Sequence, residues 1–187
     1  MLSDQTIFLN KDQILDLINY KNIIFDKRNE VYDCYNIDIL SNDILSSLSM
    51  YEIIFEYDKD YTPNFHRNGI DGKSSDILIE RKCSKKTPNK KGEVGLSDWK
   101  FHAQEKNKAD RYIFGIRRAD NLKMVRIYDI QSNNALHAIH QCLENGKQKW
   151  INKGRPNWDA LVVPEKILID LPPIEKFNIK NCVIIKI

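Results

Sequence analysis

Residues 69–82 read Gly69-Ile70-Asp71-Gly72-Lys73-Ser74-Ser75-Asp76-Ile77-Leu78-Ile79-Glu80-Arg81-Lys82. The glycine and serine positions predict a tight turn, and Ile77-Leu78-Ile79 open a short apolar strand after it. That strand closes on an acid and a base two residues apart. Side chains alternate faces along a strand at ~3.3 Å per residue, so Glu80 and Lys82 share one face about 7 Å apart. Ile77, Ile79 and Arg81 then point to the other face. Asp71 lies before the turn, where a hairpin partner strand delivers it next to Glu80. Asp76 is on the Glu80 face by alternation and competes for the same role. It lies four residues back along the strand, however, roughly 13 Å away, so Asp71 is preferred. Two carboxylates and an ammonium at one strand end make a poor core and a good site for a hard divalent cation. Mg2+ typically takes one or two protein carboxylates together with substrate phosphates.

Asp71 followed after eight residues by Glu80-Arg81-Lys82 resembles the D…(D/E)-x-K signature of the PD-(D/E)xK nucleases. Type II restriction endonucleases are the members nearest in size. The resemblance implies Asp71 and Glu80 as ligands of Mg2+, with the backbone carbonyl of Arg81 as a third donor. It implies Lys82 as the group that positions and polarises the attacking water. The sequence order of helix, hairpin strands, helix and strand across about residues 40–130 fits the same family. Ile70 stands where the family often carries Pro. Arg81 stands where an apolar residue is commoner.

The chain has 187 residues, 42% apolar and 29% charged, which is a globular composition with one principal core. Its net charge is +3, so any nucleic-acid contact must come from local basic patches. Four dispersed cysteines without a C-x-x-C pair predict reduced thiols. The first residues lack the basic start and apolar stretch of a signal peptide, and no apolar run approaches bilayer length. Together these predict an intracellular, cytoplasmic protein.

Residues 1–37 read as an N-terminal appendage, and 38–187 as the nuclease core. Asn10 with Gln13 predicts a capped helix through Ile14 and Ile18, then a polar turn over Asp26 to Glu30. The appendage is either a dimerisation element or an extra helix covering the core. A second helix, capped by Ser41 or Asn42, runs to about Tyr57 with the apolar stripe Leu40, Ile44, Leu48, Tyr51 and Phe55. Glu52 and Glu56 lie beside that stripe, as a rim carboxylate or as exposed helix acids. His66 and Arg67 precede the site within a polar connection, close enough to meet a phosphate or merely solvated.

After Lys82 the sequence turns basic: Lys85, Lys86, Lys90 and Lys91 sit in a predicted loop broken by Pro88 and Gly92. Leu96 to Asn107 reads as a helix capped by Ser97. Trp99 and Phe101 are its core residues, and the resemblance makes Lys100, His102 and Gln104 candidates for base or phosphate contacts. Arg111 to Ile116 is a strand, Arg117 to Asn121 a turn and Lys123 to Ile130 the return. Arg117, Arg118, Lys123 and Arg126 add a second basic cluster, its arginines suited to forked contacts with phosphate or guanine edges. A helix over Asn133 to Lys147 stops at Asn145-Gly146. Its His137, His140 and Cys142 fall short of the four N/S ligands of a zinc site. Lys147 to Trp158 reads as a basic loop with Trp150 and Trp158. Asp159–Val163, Lys166–Leu171 and Asn181–Ile187 read as strands.

The expected fold is therefore α/β, a mixed central sheet flanked by helices with a restriction-endonuclease-like core. The expected function is Mg2+-dependent hydrolysis of double-stranded DNA at a short specific site, by a homodimer without a nucleotide cofactor. The alternatives are a structure-specific or repair nuclease of the same superfamily, a non-catalytic DNA-binding module and a partner-binding accessory subunit.

Overall fold

The strand β3 (Ile77–Lys86) is the spine of the molecule. In the computed structural model, which describes residues 9–35, 42–64, 70–102, 109–155 and 160–187, it lies third in a seven-stranded mixed sheet. The order is β1 (Tyr61–Pro63), β2 (Gly72–Ser74), β3, β5 (Arg111–Arg118), β6 (Met124–Ile130), β9 (Cys182–Lys186) and β8 (Glu175–Ile179). The pairs β3·β5 and β6·β9 are parallel and the others antiparallel. A separate two-stranded ribbon joins β4 (Asp98–His102) to β7 (Ala160–Pro164). The helices are α1 (Lys11–Tyr35), α2 (Asn42–Tyr57), α3 (Asn133–Asn152) and α4 (Glu165–Ile169). This is an α/β fold with a mixed central sheet and helices on both faces.

Strand alternation divides the core in two. On one face Ile79, Ile113, Ile127 and Ile184 pack under Ile14 and Ile18 of α1 and Leu48, Tyr51 and Ile54 of α2. On the other, Tyr112, Phe114, Ile116, Tyr128 and Ile130 meet α3 and the inward side of the β4–β7 ribbon. Each of these large apolar residues contributes roughly 1.5–3 kcal/mol by leaving water. Among the described residues no helix is long and apolar enough to cross a membrane.

Several elements differ from the sequence expectation, each for a physical reason. The polar stretch Asp26 to Glu30 is not a turn: α1 runs straight through it. It contains neither Gly nor Pro, and Lys27 pairs with Glu30 one turn on at 2.7 Å. Cys83 to Lys86 is not loop, because β5 offers these residues a parallel partner out to Lys86↔Arg118. Leu96 to Asn107 is not a helix. Asp98–His102 alternates exposed and buried, and β7 supplies the hydrogen bonds. Trp99 and Phe101 are buried, with Trp99 Nε1 donating to the Gly115 carbonyl at 3.0 Å.

Gly146 does not end α3, which continues to Asn152 and carries Trp150 as a helical residue. A glycine inside a helix costs about 1 kcal/mol relative to alanine, and Leu143 and Trp150 on either side pack against the core. Lys166 to Leu171 is mostly the short helix α4 rather than a strand. Strand β8 was not foreseen. It forms a hairpin with β9 through Lys180 and Asn181, both in the left-handed region at φ 47° and 66°.

Two buried ion clusters tie these layers together. Arg111 Nε donates to Asp129 Oδ1 at 2.7 Å, Nη2 bonds Asp129 Oδ2, and Nη1 donates to Asp58 Oδ2 at 2.6 Å. Ser74 Oγ closes the group on Asp58 Oδ1 at 2.9 Å. Glu165 is fully buried. It accepts from Tyr128 Oη at 2.8 Å, Arg126 Nε at 2.7 Å and the Ser97 N–H at 2.7 Å. Arg126 also donates to the Val94 and Gly95 carbonyls, so it anchors the approach to β4 instead of facing a ligand.

Among the described glycines of the hairpin, Gly72 sits where a side chain has no room. A Cβ there would meet the Tyr61 hydroxyl at 2.6 Å and the Thr62 carbonyl oxygen at 2.8 Å. Backbone cannot yield as a flexible side chain does. Gly72→Ala is therefore expected to destabilise the fold by roughly 1–3 kcal/mol, measured as the loss in unfolding free energy in urea.

Candidate active site

β2 and β3 pair in register as Gly72↔Ile79, Lys73↔Leu78 and Ser74↔Ile77, with Ser75 and Asp76 as the two-residue turn. One step further back, Asp71 immediately precedes β2, the hairpin partner of the strand that carries Glu80. Its backbone is held from the other side: the Asn64 N–H donates to the Asp71 carbonyl at 2.8 Å, and Asn64 Nδ2 to the Ile70 carbonyl at 2.9 Å. The carboxylate Oδ2 of Asp71 accepts the Arg81 N–H at 2.7 Å. Asp76 sits in the turn at the far end of the hairpin, exposed, and does not meet Glu80.

Glu80 and Lys82 share a face as alternation requires, and their charged atoms touch at 2.7 Å. Both side chains are largely shielded, at 12% and 19% exposure. The Lys82 ammonium rests 4.9 Å over the Phe101 ring of β4, so β4 forms one wall of the site. An open cleft of about 300 Å³ continues along that wall, lined by Lys82, Ser84, Lys85, Asp98 and Lys100. Its floor is pinned where Ser97 Oγ and Ser84 Oγ meet at 2.6 Å.

On the reverse face Arg81 is buried against α2. Its guanidinium lies 4.4 Å over the Tyr51 ring, and Nη2 donates to Tyr51 Oη at 2.8 Å. Burial raises the Tyr51 pKa above the usual phenol range despite the opposing Arg81 charge. Burial alone would lower Arg81, but Tyr51, Tyr61 and Asp71 around it outweigh this and raise it. Next along, burial pushes the Cys83 thiol up to about 11, which keeps it neutral. Tyr51 was read from sequence only as part of an apolar stripe. The signal for its second role was the charged residue at an inward position of the facing strand.

The other basic residues divide. Lys85, Lys90, Lys91, Lys100 and His102 are exposed, and Lys86 and Arg118 half-buried. Lys90 and Lys91 cap a loop that folds on Asn89, whose Oδ1 accepts from the Lys91 and Glu93 N–H groups at 2.9 and 3.0 Å. Arg118 pairs with Asp120 at 2.6 Å and holds this loop through the Gly92 carbonyl at 3.1 Å. Arg117 is fully buried, with Nε on Ser46 Oγ at 2.8 Å. It shares strand parity with Ile113 and lies inside the α2 face, out of reach of DNA at the surface. Glu52 pairs with Lys21 at 2.7 Å and Glu56 with Lys180 at 2.6 Å, so both acids are engaged on the α1–β9 side. His140 packs edge-on to Tyr112, and Cys142 Sγ lies 3.5 Å from the Val162 carbonyl. His66, Arg67, Gln104 and Trp158 lie outside the described residues.

Asp71, Glu80 and the Arg81 carbonyl offer oxygen donors, the chemistry Mg2+ prefers, and the Asp71 carboxylate is turned to Arg81. Among the described residues no three His, Cys, Asp or Glu side chains gather as a metal group. Two carboxylates are nevertheless enough for Mg2+ when substrate phosphate and water complete the shell. No protein-family model and no curated protein matches the chain.

Proposed function

We propose that the chain is a Mg2+-dependent endodeoxyribonuclease of the restriction-endonuclease-like type, cutting double-stranded DNA at a short specific site. The observation that carries this is the constellation on β2 and β3. Asp71 immediately precedes β2, the hairpin partner of the strand that carries Glu80; the Arg81 N–H binds the Asp71 carboxylate, and the Lys82 ammonium lies 2.7 Å from Glu80. The surrounding order supports it. A helix (α2) leads into three antiparallel strands, Asp71 immediately precedes the second, Glu80-x-Lys82 lies on the third, and β5 follows in parallel. The departure is the crossover, which is the strand β4 where the resemblance implied a helix.

In this reading Asp71, Glu80 and the Arg81 carbonyl hold the metal. Bound Mg2+ supplies a water of lowered pKa and charge stabilisation at the phosphate. Lys82, paired with Glu80 and restrained on Phe101, orients the nucleophile and faces the developing charge. Lys85 and Lys100 along the cleft, with Lys86, Lys90 and Lys91 beyond it, neutralise backbone phosphates. A twofold homodimer on a palindromic target would place one site on each strand, and light scattering with and without DNA checks it.

The deciding experiment incubates the purified chain with a large plasmid in Mg2+ and in EDTA. Discrete bands in Mg2+ alone support a site-specific nuclease. Cutting that ignores sequence but follows branched structure would favour a junction or repair enzyme. Binding without cutting would leave a DNA-binding module. For the phosphate contacts, the exposed pair Lys90→Ala/Lys91→Ala is expected to reduce the slope of log affinity against log salt by about 2. An unchanged slope in a filter-binding titration would remove that loop from the interface.

A further inference from the structure

The x residue of the Glu80-x-Lys82 signature carries a charge, and that charge is spent behind the site. The Arg81 side chain is 7% exposed. Its Nη2 lies 3.9 Å from Asp71 Oδ1, while its main-chain N–H donates to Asp71 Oδ2 at 2.7 Å. One residue therefore reaches both oxygens of the carboxylate. The guanidinium cannot swing away, because Tyr51 holds it by a 2.8 Å hydrogen bond and by its ring face at 4.4 Å. A buried arginine is costly to keep, and an apolar residue would suit the α2 side of this strand better for stability alone. What arginine adds is a fixed positive charge at the back of Asp71. The two acids and two bases at this hairpin, Asp71 with Arg81 and Glu80 with Lys82, then sum to zero charge before any cation arrives.

We propose that Arg81 is a positioning residue and the resident counter-ion of Asp71, fixing the carboxylate for the metal and weakening the metal's affinity. The proposal rests on the nuclease reading, in which Asp71 is a metal ligand. A fixed cation repels an incoming dication, and does so most strongly where the surroundings are shielded from water. A carboxylate hydrogen-bonded at one oxygen and facing a fixed cation at the other is also preorganised, so the bound metal is better placed. Arg81 thus lowers metal affinity and raises the rate per metal bound.

The test is a calorimetric titration of the full chain with Mn2+, without DNA. Arg81→Met fills similar volume against Tyr51 without the charge, and is expected to bind Mn2+ about tenfold more tightly. Its cleavage at saturating Mg2+ is expected to fall about tenfold. Arg81→Lys keeps a cation and should stay within about twofold of wild-type affinity. A purely structural role would leave affinity unchanged or weaken it, and either result in a folded Arg81→Met overturns the proposal. Should Arg81→Met lose its far-UV circular dichroism, Arg81→Gln replaces it with the same expectations. The reading beneath is tested separately with Asp71→Asn and Glu80→Gln. If neither changes Mn2+ binding, both the nuclease reading and the role of Arg81 fall. If both do and the neutral Arg81 variant does not, Arg81 alone is overturned.

Discussion

Glu80→Gln is expected to lower Mg2+-dependent DNA cleavage on the order of 10³-fold or more while leaving the chain folded. The substitution keeps the shape of the side chain and removes the charge that binds the cation. Glu80 is the more shielded of the two acids, and its carboxylate also holds the Lys82 ammonium at 2.7 Å. In the proposed nuclease reading the neutral amide loses both functions at once: the metal would have one carboxylate left, and Lys82 loses its fixed anchor. Stability changes much less. The ion pair is shielded but not sealed, and Lys82 keeps the Phe101 ring beneath it. Cleavage rates under single-turnover conditions, with DNA binding measured in parallel, separate the chemistry from the encounter. Binding within a few-fold of wild type together with lost cutting is the expected pattern. Wild-type cutting by Glu80→Gln would remove Glu80 from the mechanism and the E-x-K reading with it.

Arg111→Met carries the largest expected loss of stability, about 3–5 kcal/mol. Removing the arginine strands two carboxylates. Asp129 is fully buried, and the Asp58 side chain is 11% exposed. Neither regains water when its partner goes, and that uncompensated charge is the origin of the cost. For a chain of this size the loss corresponds to a fall of roughly 6–20 °C in the unfolding midpoint. The double variant Arg111→Met/Asp129→Leu should recover part of it, since an apolar pair replaces an unpaired charge. The clamp also reaches the site: Asp58 accepts Ser74 Oγ at 2.9 Å, and Ser74 ends β2 just past Asp71. Activity should therefore fail at a lower temperature than in the wild type. An unchanged midpoint for the single variant would show that the cluster is replaceable by water.

The parts legible in the sequence were those whose local pattern and tertiary fate agree. Ile77-Leu78-Ile79 with Glu80 and Lys82 gave both the spine and the shared face, because alternation is a local property of a strand. The α2 stripe, the β5–β6 return and the terminal strand were legible for the same reason. Four short elements were not, the first being β1, where Tyr61–Pro63 falls in a stretch that reads as a polar connection and takes its state from β2. β4 has clean alternation of Trp99 and Phe101 with Asp98, Lys100 and His102, but Ser97 reads equally as a helix cap. What decides is β7, a partner far along the chain. α4 exists around Glu165, whose value lies in Tyr128, Arg126 and the Ser97 N–H and not in its own neighbours. β8 is polar and takes its state from β9. In the site, the facing of Glu80 and Lys82 was legible, whereas the burial of Arg117 was not. A basic residue at a strand end looks like surface until α2 is laid over it.

The ribbon that walls the cleft has a temporal consequence. His102 pairs with Ala160, so the wall joins chain segments about 60 residues apart. At ~5–20 residues per second on the ribosome, β4 waits ~3–12 s for its partner to be synthesised. During that interval the β2–β3 hairpin carrying Asp71, Glu80 and Lys82 already exists in full as sequence. Lys82 lacks the settled Phe101 surface, and Trp99 and Phe101 lack their cover. A nascent chain is thus acid-complete and cleft-incomplete, and the wall of the candidate site is finished only once β7, ending at Pro164, has been made.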